Sequence, residues 1–467
     1  MMWRKFKNKF IGTADFYKYV LYLAVPMIVQ NAITSFVSFL DNIMVGQIGT
    51  EQMSGVAIVN QLMFVFNICI FGGVSGAGIF GTQYFGKGDY EGQKHTFRFK
   101  LYACGLITCA ALLLFGFLDT QLISLYLNES HSAGDVSLAL KYGKEYLAIM
   151  MIGLIPFALG QAYTSTIRET GQTLVPMIAG IAAVATNLFL DYILIFGIGG
   201  MPGMGVRGAA IATVIARFIE CFIVVFWTHT HKEVNPYIKG AYSSPKIPRS
   251  VLRGILVKGS PLMLNEMFWA SGMAVISQCY AVRGLEVVAA QNISSTISNL
   301  FNIVYLQLGG CISIVVGQLL GAGKIEEARD ADNKMIFFSV FCCACISAVM
   351  VVVGKYFPSI YNTEETIKAL AQKLIVISAL VMPLCSFSHA AYFTLRSGGK
   401  TIVTFLFDSV FVWVLVIPFA YTLANYTNLT ITTVFFLVQF TEIIKVILGL
   451  FMLKSGVWLQ NIVEEKA

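Results

Sequence analysis

SVFVWVLVIPFAYTLANYTNLTITTVFFLVQFT, residues 409–441, continues without a single charged side chain. A helix needs roughly 20 apolar residues to cross about 30 Å of hydrocarbon, so this stretch reads as two spans folded about the polar turn Asn425-Tyr426-Thr427-Asn428. Leu101 to Leu118 and Met335 to Gly354 are also uncharged, each the length of one span. The rest of the chain shares the bias. Of 467 residues, 57% are hydrophobic and 12% charged, where a soluble domain has about 25% charged. This is the composition of a multi-pass membrane protein.

Apolar runs separated by loop signals predict twelve spans. Their cores lie at 20–45, 53–82, 98–118, 140–163, 172–197, 207–228, 256–280, 287–318, 335–354, 370–395, 401–424 and 429–452. Basic residues favour the cytoplasmic side. With the N-terminus inside, only Lys141, Lys144, Arg207, Arg283, Lys355, Lys368 and Lys373 of the 32 Lys and Arg face out, and Arg217 falls within a span. Both termini are therefore expected in the cytoplasm, the protein lying in the cell membrane. Met1 to Phe10, with Arg4, Lys5, Lys7 and Lys9, reads as an interfacial basic segment before a retained first helix, because the apolar run beyond it is too long for a signal peptide. The net charge of +7 follows from these loops and does not imply nucleic acid. All ten cysteines lie in apolar stretches. Even Cys342 and Cys345, spaced CxxC, lack the polar setting of a redox or zinc site and read as packing residues.

The two halves of the chain repeat each other. A shift of 235 lays Pro26 on Pro261, Gly49 on Gly284, Gln83 on Gln318, Gly86 on Gly321 and Gly88 on Gly323. A shift of 228 then lays Arg168–Thr173 on Arg396–Thr401. Six spans per half make the repeats parallel, with substrate expected between them. The fold expected is an all-α membrane protein of twelve transmembrane helices in two pseudo-symmetric six-helix lobes: an N-lobe at 1–228, a cytoplasmic linker at 229–250 and a C-lobe at 251–467. Two lobes in one chain complete a working unit, so a monomer is expected.

Two nucleotide-binding look-alikes fail on inspection. Gly81–Gly86-Lys87 is followed by Gly88 where a magnesium-binding hydroxyl is needed, and Gly399-Lys400-Thr401 lacks its first glycine. Energy must then come from an ion gradient, or the process is passive; this directs attention to carboxylates inside the spans, where a charge costs about 2.5–3.5 kcal/mol. At about 1.5 Å rise per residue, Asp41 in span one and Asp191 in span five reach similar depth in the outer half. Asn187 shares a helix face with Asp191, and Thr213 enters span six to a similar level. Two carboxylates, an amide and a hydroxyl suit a hard monovalent cation or a shared proton; the alternative is helix–helix hydrogen bonding. Glu266, five residues after Pro261, is expected as a substrate site or second proton site, or as a carboxylate anchored near the proline. Asp408 reads as structural near the cytoplasmic face. Arg217 with Glu220, and Glu442 with Lys445, read as i, i+3 structural pairs. Phe36, Phe39, Tyr163, Trp269 and Tyr392 are candidates to line a cavity for flat cations, or to pack.

Phe39-Leu-Asp41-Asn-Ile-Met-Val-Gly46-Gln-Ile-Gly49 and Asn187-Leu-Phe-Leu-Asp191-Tyr-Ile-Leu-Ile-Phe-Gly197 resemble the multidrug and toxic compound extrusion family. So do the loop Pro202–Arg207, the stretch Gly208–Thr213, the motifs Gln83–Gly88 and Arg168–Thr173, and the second-half copies of those two motifs. The resemblance covers essentially the whole chain. It implies export of cationic or amphipathic drugs and metabolites, driven by inward sodium or protons, with the cation site at Asp41, Asn187, Asp191 and Thr213. Some members of that family carry a C-lobe acid later in span seven and another in span ten; here Glu266 comes early and 374–395 has no acid. The expected partners are small organic substrates, Na+ or H+, and the bilayer. No cofactor is expected and no metal beyond Na+ as coupling ion. Rival readings are a lipid-linked oligosaccharide flippase of the same superfamily and an intramembrane enzyme. The chain lacks an HExxH motif and a paired Ser/Lys motif, so it is not expected to be an enzyme.

Overall fold

The computed structural model describes residues 9–127, 135–197 and 202–464, apart from the side chain of Phe39. Arg4, Lys5, Lys7 and the Phe39 side chain, named above, lie outside the described residues. All regular structure among the described residues is helical. Backbone polar groups in hydrocarbon must be paired within their own segment, and only a helix or a closed barrel does that.

The first half comprises α1 Ala14–Gly46, α2 Thr50–Lys87, α3 Tyr90–Phe117, the short α4 Asp119–Ser124, α5 Val136–Met150, α6 Leu154–Glu169, α7 Leu174–Phe196 and α8 Val206–Thr230. The second half comprises α9 Arg249–Ala281, α10 Leu285–Gly321, α11 Ile325–Tyr356, α12 Glu365–Ser397, α13 Thr401–Tyr426 and α14 Ile431–Ser455. Among the described residues, ten helices are long and apolar enough to cross a membrane, and α5 with α6 makes an eleventh span bent by 50°. The remaining expected span is α9, whose apolar part is interrupted by Asn265, Glu266 and Gln278. The fourth expected span is thus not one straight helix. Gly153 at the break weakens the helix there, and Pro156 tolerates only a first-turn position, so α6 starts anew at Leu154.

The chain forms two compact units. One holds the described part of Met1–Ala24 with Thr82–Asp89 and Gly254–Ala467; the other holds Val25–Gly81 and Tyr90–Arg253. The division within α1 falls beside Pro26, whose ring removes a helical hydrogen bond.

In the first unit, the end of α2 crosses the end of α10 at two glycines that the duplication pairs. A Cβ on Gly86 would collide with the carbonyl of Gln318, and a Cβ on Gly321 with the carbonyl of Gln83. The contact is reciprocal, as a local two-fold between repeats requires. Small residues let helix backbones approach where lipid provides no hydrophobic drive for association. Both helices then end on a left-handed glycine, Gly88 at φ 76° and Gly323 at φ 74°. The C-terminal stretch closes over this crossing. Gln83, fully buried, donates to the carbonyls of Ser397 (2.9 Å) and Gln460 (3.2 Å) and accepts from the amide of Ile462 (2.8 Å). Lys87 donates to Val463 O, and Asn461 to Gly321 O.

In the second unit, the segment after α8 is bound in place. Arg98 on α3 donates to the carbonyls of Gly240, Ala241 and Lys246. Phe97, Tyr163, Tyr237 and Ile238 form a buried cluster beneath it. Tyr163 is therefore a packing residue, its hydroxyl shared with His229 and Tyr242. Buried Lys100 pairs with Glu169 at 2.5 Å and donates to Thr166.

Gly86→Ala and Gly321→Ala should each lower the apparent melting temperature of the detergent-solubilised protein, because a methyl driven into backbone cannot be relieved by a rotamer change. Gly105→Ala, with nothing within 4 Å of the added carbon, should leave it unchanged or raise it. Equal melting of all three in a thermal-shift assay would contradict the close crossing.

Candidate functional site

The site in the second unit is built by parallel packing of α1 on α7. A Cβ on Gly180 would lie 2.8 Å from the amide nitrogen of Gln30, so the two helices touch at that level. Gln30 is held there by Arg168, whose Nη2 donates to its Oε1 at 2.7 Å. Eleven residues further along each helix stand Asp41 and Asp191. Eleven residues are about three turns, so the register that seats Gln30 on Gly180 also sets the two carboxylates face to face. The two carboxyl groups lie close enough to influence each other.

A second close approach brings in the hydroxyl. A Cβ on Gly208 would stand 2.5 Å from the carbonyl oxygen of Leu194, so the small start of α8 rests directly on the end of α7. This seats Thr213 beside Asn187, whose Nδ2 points to Thr213 Oγ1 at 3.5 Å, while Thr213 donates to Ala209 O at 3.0 Å. Asp191 is 1% exposed and Asn187 7%, depths at which an unmet charge is costly. Asp41 Oδ1 and both oxygens of Asp191 are buried with no donor in good geometry; Asn187 stands near Asp191 without completing a well-formed bond. Two carboxylates this close cannot both stay ionised without a cation between them; otherwise they share a proton. Side chains alone leave that requirement unmet.

Four of the five residues expected from the sequence are thus together: Asp41, Asn187, Asp191 and Thr213. Two neighbours were missed. Buried Tyr146 of α5 approaches Thr213 and lies in the field of both acids. Arg217, one turn beyond Thr213, faces Tyr146 and stacks over Phe157 at 5.1 Å. The expected Arg217–Glu220 pair is not in ion-pair contact; Glu220 lies in the combined field of Arg168 and Arg217. Tyr146 could have been suspected only from its place in a mixed polar-apolar helix, which does not say what it faces.

Glu266 has separate neighbours in the first unit, with Tyr392, Arg396 and Asp408 around it. Asp408 lies in a stretch of α13 wound wider than an α-helix, at Leu406–Val410. It is largely enclosed and plays a structural part, accepting from Lys445 Nζ at 2.7 Å and from Asn265 Nδ2 at 3.1 Å. Lys445 therefore does not serve the expected i, i+3 pair with Glu442. A carboxylate from another helix, buried and held by a second donor, outcompetes a neighbour on the same helix.

A buried pair broken from one side leaves an uncompensated charge and costs about 3–5 kcal/mol. Lys445→Met should accordingly lower the apparent melting temperature sharply, and the double variant Asp408→Asn/Lys445→Gln should recover most of the loss. A thermal-shift series in detergent checks this.

The comparisons with known proteins agree with this architecture. The MatE family model matches residues 26–193 and 261–422, one match in each repeat. A "Probable multidrug resistance protein NorM" of Thermotoga maritima is 22% identical over 441 residues, covering 94% of this chain and 93% of that protein. The Bacillus subtilis protein of the same description is 24% identical over 419 residues, covering 88% and 89%. Among solved structures, an outward-facing multidrug resistance MATE family transporter of the MOP superfamily superposes with a TM-score of 0.83 at 18% identity, covering 94% of this chain and 95% of that one. A MATE in the bent conformation gives 0.83 at 18% identity, covering 95% and 96%. With each repeat matched by the family model and the twelve-helix fold shared, the chain belongs to the multidrug and toxic compound extrusion (MatE) family of membrane transporters.

Proposed function

We propose that this transporter exports small organic cations, drugs or metabolites in exchange for inward Na+ or H+, with Asp41, Asn187, Asp191 and Thr213 as the coupling site. The observation that carries the reading is the pair of neighbouring carboxylates, half-buried Asp41 and buried Asp191. Together they hold more negative charge than the surrounding donors meet. A monovalent cation or a proton supplies the missing charge, and Asn187 and Thr213 add neutral oxygen atoms suited to a hard ion. The names of the relatives, probable multidrug resistance proteins, support drugs as cargo.

Coupling then needs only that the loaded and empty acid pair prefer different conformations, since a ligand shifts an equilibrium by its differential affinity. Binding an ion between Asp41 and Asp191 draws α1 and α7 together above Pro26; releasing it restores repulsion between them. The proline is where α1 bends most cheaply. The lobes of this cycle are the duplicated halves, residues 1–228 and 251–467, working as a monomer in the cell membrane with both termini in the cytoplasm.

Fluorescent organic-cation efflux from pump-deficient cells under imposed Na+ or H+ gradients tests the reading and identifies the ion. Asp41→Asn and Asp191→Asn should each abolish gradient-driven efflux at normal expression, with the double variant no worse than either, because the two acids act as one site. Asp41→Asn exporting at the wild-type rate would end the proposal. Glu266 takes the secondary place of a second proton site: Glu266→Gln should slow efflux severalfold while the gradient dependence persists.

A further inference from the structure

The second unit holds a cavity of about 390 Å³ where α1 gives way to α2 and α7 to α8. Ile48, Tyr142 and Val206 line it, and their places in the sequence tie it to the acid pair. Ile48 follows Asp41 by seven residues, Val206 precedes Thr213 by seven, and Tyr142 precedes Tyr146 by four. Seven residues are about two helical turns and four about one, so each shares a face with its counterpart at the site. Helical winding continues past Gly46, with Gln47 N donating to Ile43 O and Ile48 N to Val45 O. The cavity therefore stands in line with the acid pair, about 10 Å further along α1 and α8.

One turn of apolar side chains separates the two. Val45 stands four residues beyond Asp41, Ile195 four beyond Asp191, and Ala209 four before Thr213. All three are buried in one hydrophobic cluster with Tyr146. The cavity beyond this collar is polar and carries charge. Arg207 Nε donates to Glu145 Oε2 at 3.1 Å, with the carboxylate side chain 23% exposed and the guanidinium side chain 58%, so the acid lies deeper and the base nearer solvent. Gln52 Oε1, also on the lining, is buried without a donor. The amides of Met204 and Gly205 donate to the carbonyls of Leu194 and Ile195, which fastens the loop over the end of α7 and shapes the remaining wall.

We infer that this cavity is the outer vestibule of the coupling site. The driving monovalent cation enters it hydrated, is held by the oxygens of Glu145 and Gln52, and passes between Val45, Ile195 and Ala209 to Asp41 and Asp191. The inference rests on the coupling reading and the orientation proposed above, and adds to them a route contained within one unit. Each water takes about 30 Å³ of the liquid, so the vestibule accommodates an ion with its first hydration shell. The collar excludes that shell while closed, as hydrophobic constrictions do when they gate by dewetting, and the two carboxylates replace it beneath. Glu145 works for an arriving cation and Arg207 against it. Neutralising one or the other therefore changes cation entry in opposite directions, whereas an exposed ion pair kept only for the fold loses little from either change.

The test places a charge of either sign in the vestibule. Met204→Cys, at an exposed position on the wall, is treated from outside the cell with membrane-impermeant methanethiosulfonates carrying a trimethylammonium or a sulfonate, and labelling is verified by intact mass. Efflux is then measured against the concentration of the driving cation, with the unsubstituted chain treated in parallel because Cys109 and Cys345 are exposed. The added cation should raise the half-saturating concentration about threefold and the added anion lower it about threefold, at unchanged maximal rate, as charges about 10 Å apart in a largely hydrated setting require. A purely steric effect moves both in the same direction. Without any label, Glu145→Gln should raise the half-saturating concentration and Arg207→Gln lower it. Failure of the Met204→Cys thiol to react from outside, the same response to both reagents, or no change in both charge variants would overturn the assignment. Asp41→Asn in the same assay separates the two readings: efflux lost there while vestibule charges have no effect removes the route alone, and normal efflux removes the coupling site and its vestibule together.

Discussion

Charge that lipid cannot solvate has to be met inside the protein, and the arrangement of this molecule follows from how each buried charge is met. Lys100 is answered by Glu169 at 2.5 Å, and Asp408 by Lys445 at 2.7 Å with Asn265 assisting. Both are complete pairs, and completeness makes them structural. Asp41 and Asp191 are arranged differently. There the neighbour of a carboxylate is another carboxylate, which cannot neutralise it. In the proposed cycle, the same physics that makes an ion pair a staple makes this acid pair a switch.

Such pairs can be placed accurately because the helices meet at residues with little or no side chain. Gly180 admits Gln30, Gly208 admits the backbone of Leu194, and Gly86 and Gly321 admit each other's helix. Each close approach fixes a register, and a helix carries that register three turns onward with little error. The facing of Asp41 and Asp191 is thus decided near Gln30, and the meeting of Asn187 with Thr213 at the start of α8. A small residue well away from the acids positions them more firmly than any contact of their own.

The two units treat buried polarity differently. The second sets one acid pair, with an amide and a hydroxyl close by, apart from complete pairs such as Lys100 with Glu169. The first lines a cavity with Gln291, Ser294, Ser298, Asn299 and Asn302 of α10. The residues that give α9 its low hydropathy, Asn265 and Glu266, belong to the same polar interior.

Composition, span count and duplication were legible from the amino-acid order because hydrocarbon thickness and helical rise are constants that any membrane sequence must satisfy. The depth of Asp41, Asp191 and Thr213 followed from the same arithmetic, which is why the grouping of these residues with Asn187 could be anticipated. The break before Leu154 was harder to read, since a glycine and a proline tolerate a bend without requiring one. Tyr146, the exchange of Glu442 for Asp408 as partner of Lys445, and the cavity beside Ser298 and Glu442 were decided only by tertiary structure. Depth along a span is a one-dimensional quantity carried by residue number. Which faces meet depends on how each helix is rotated about its axis, and that is set by contacts with residues hundreds of positions away.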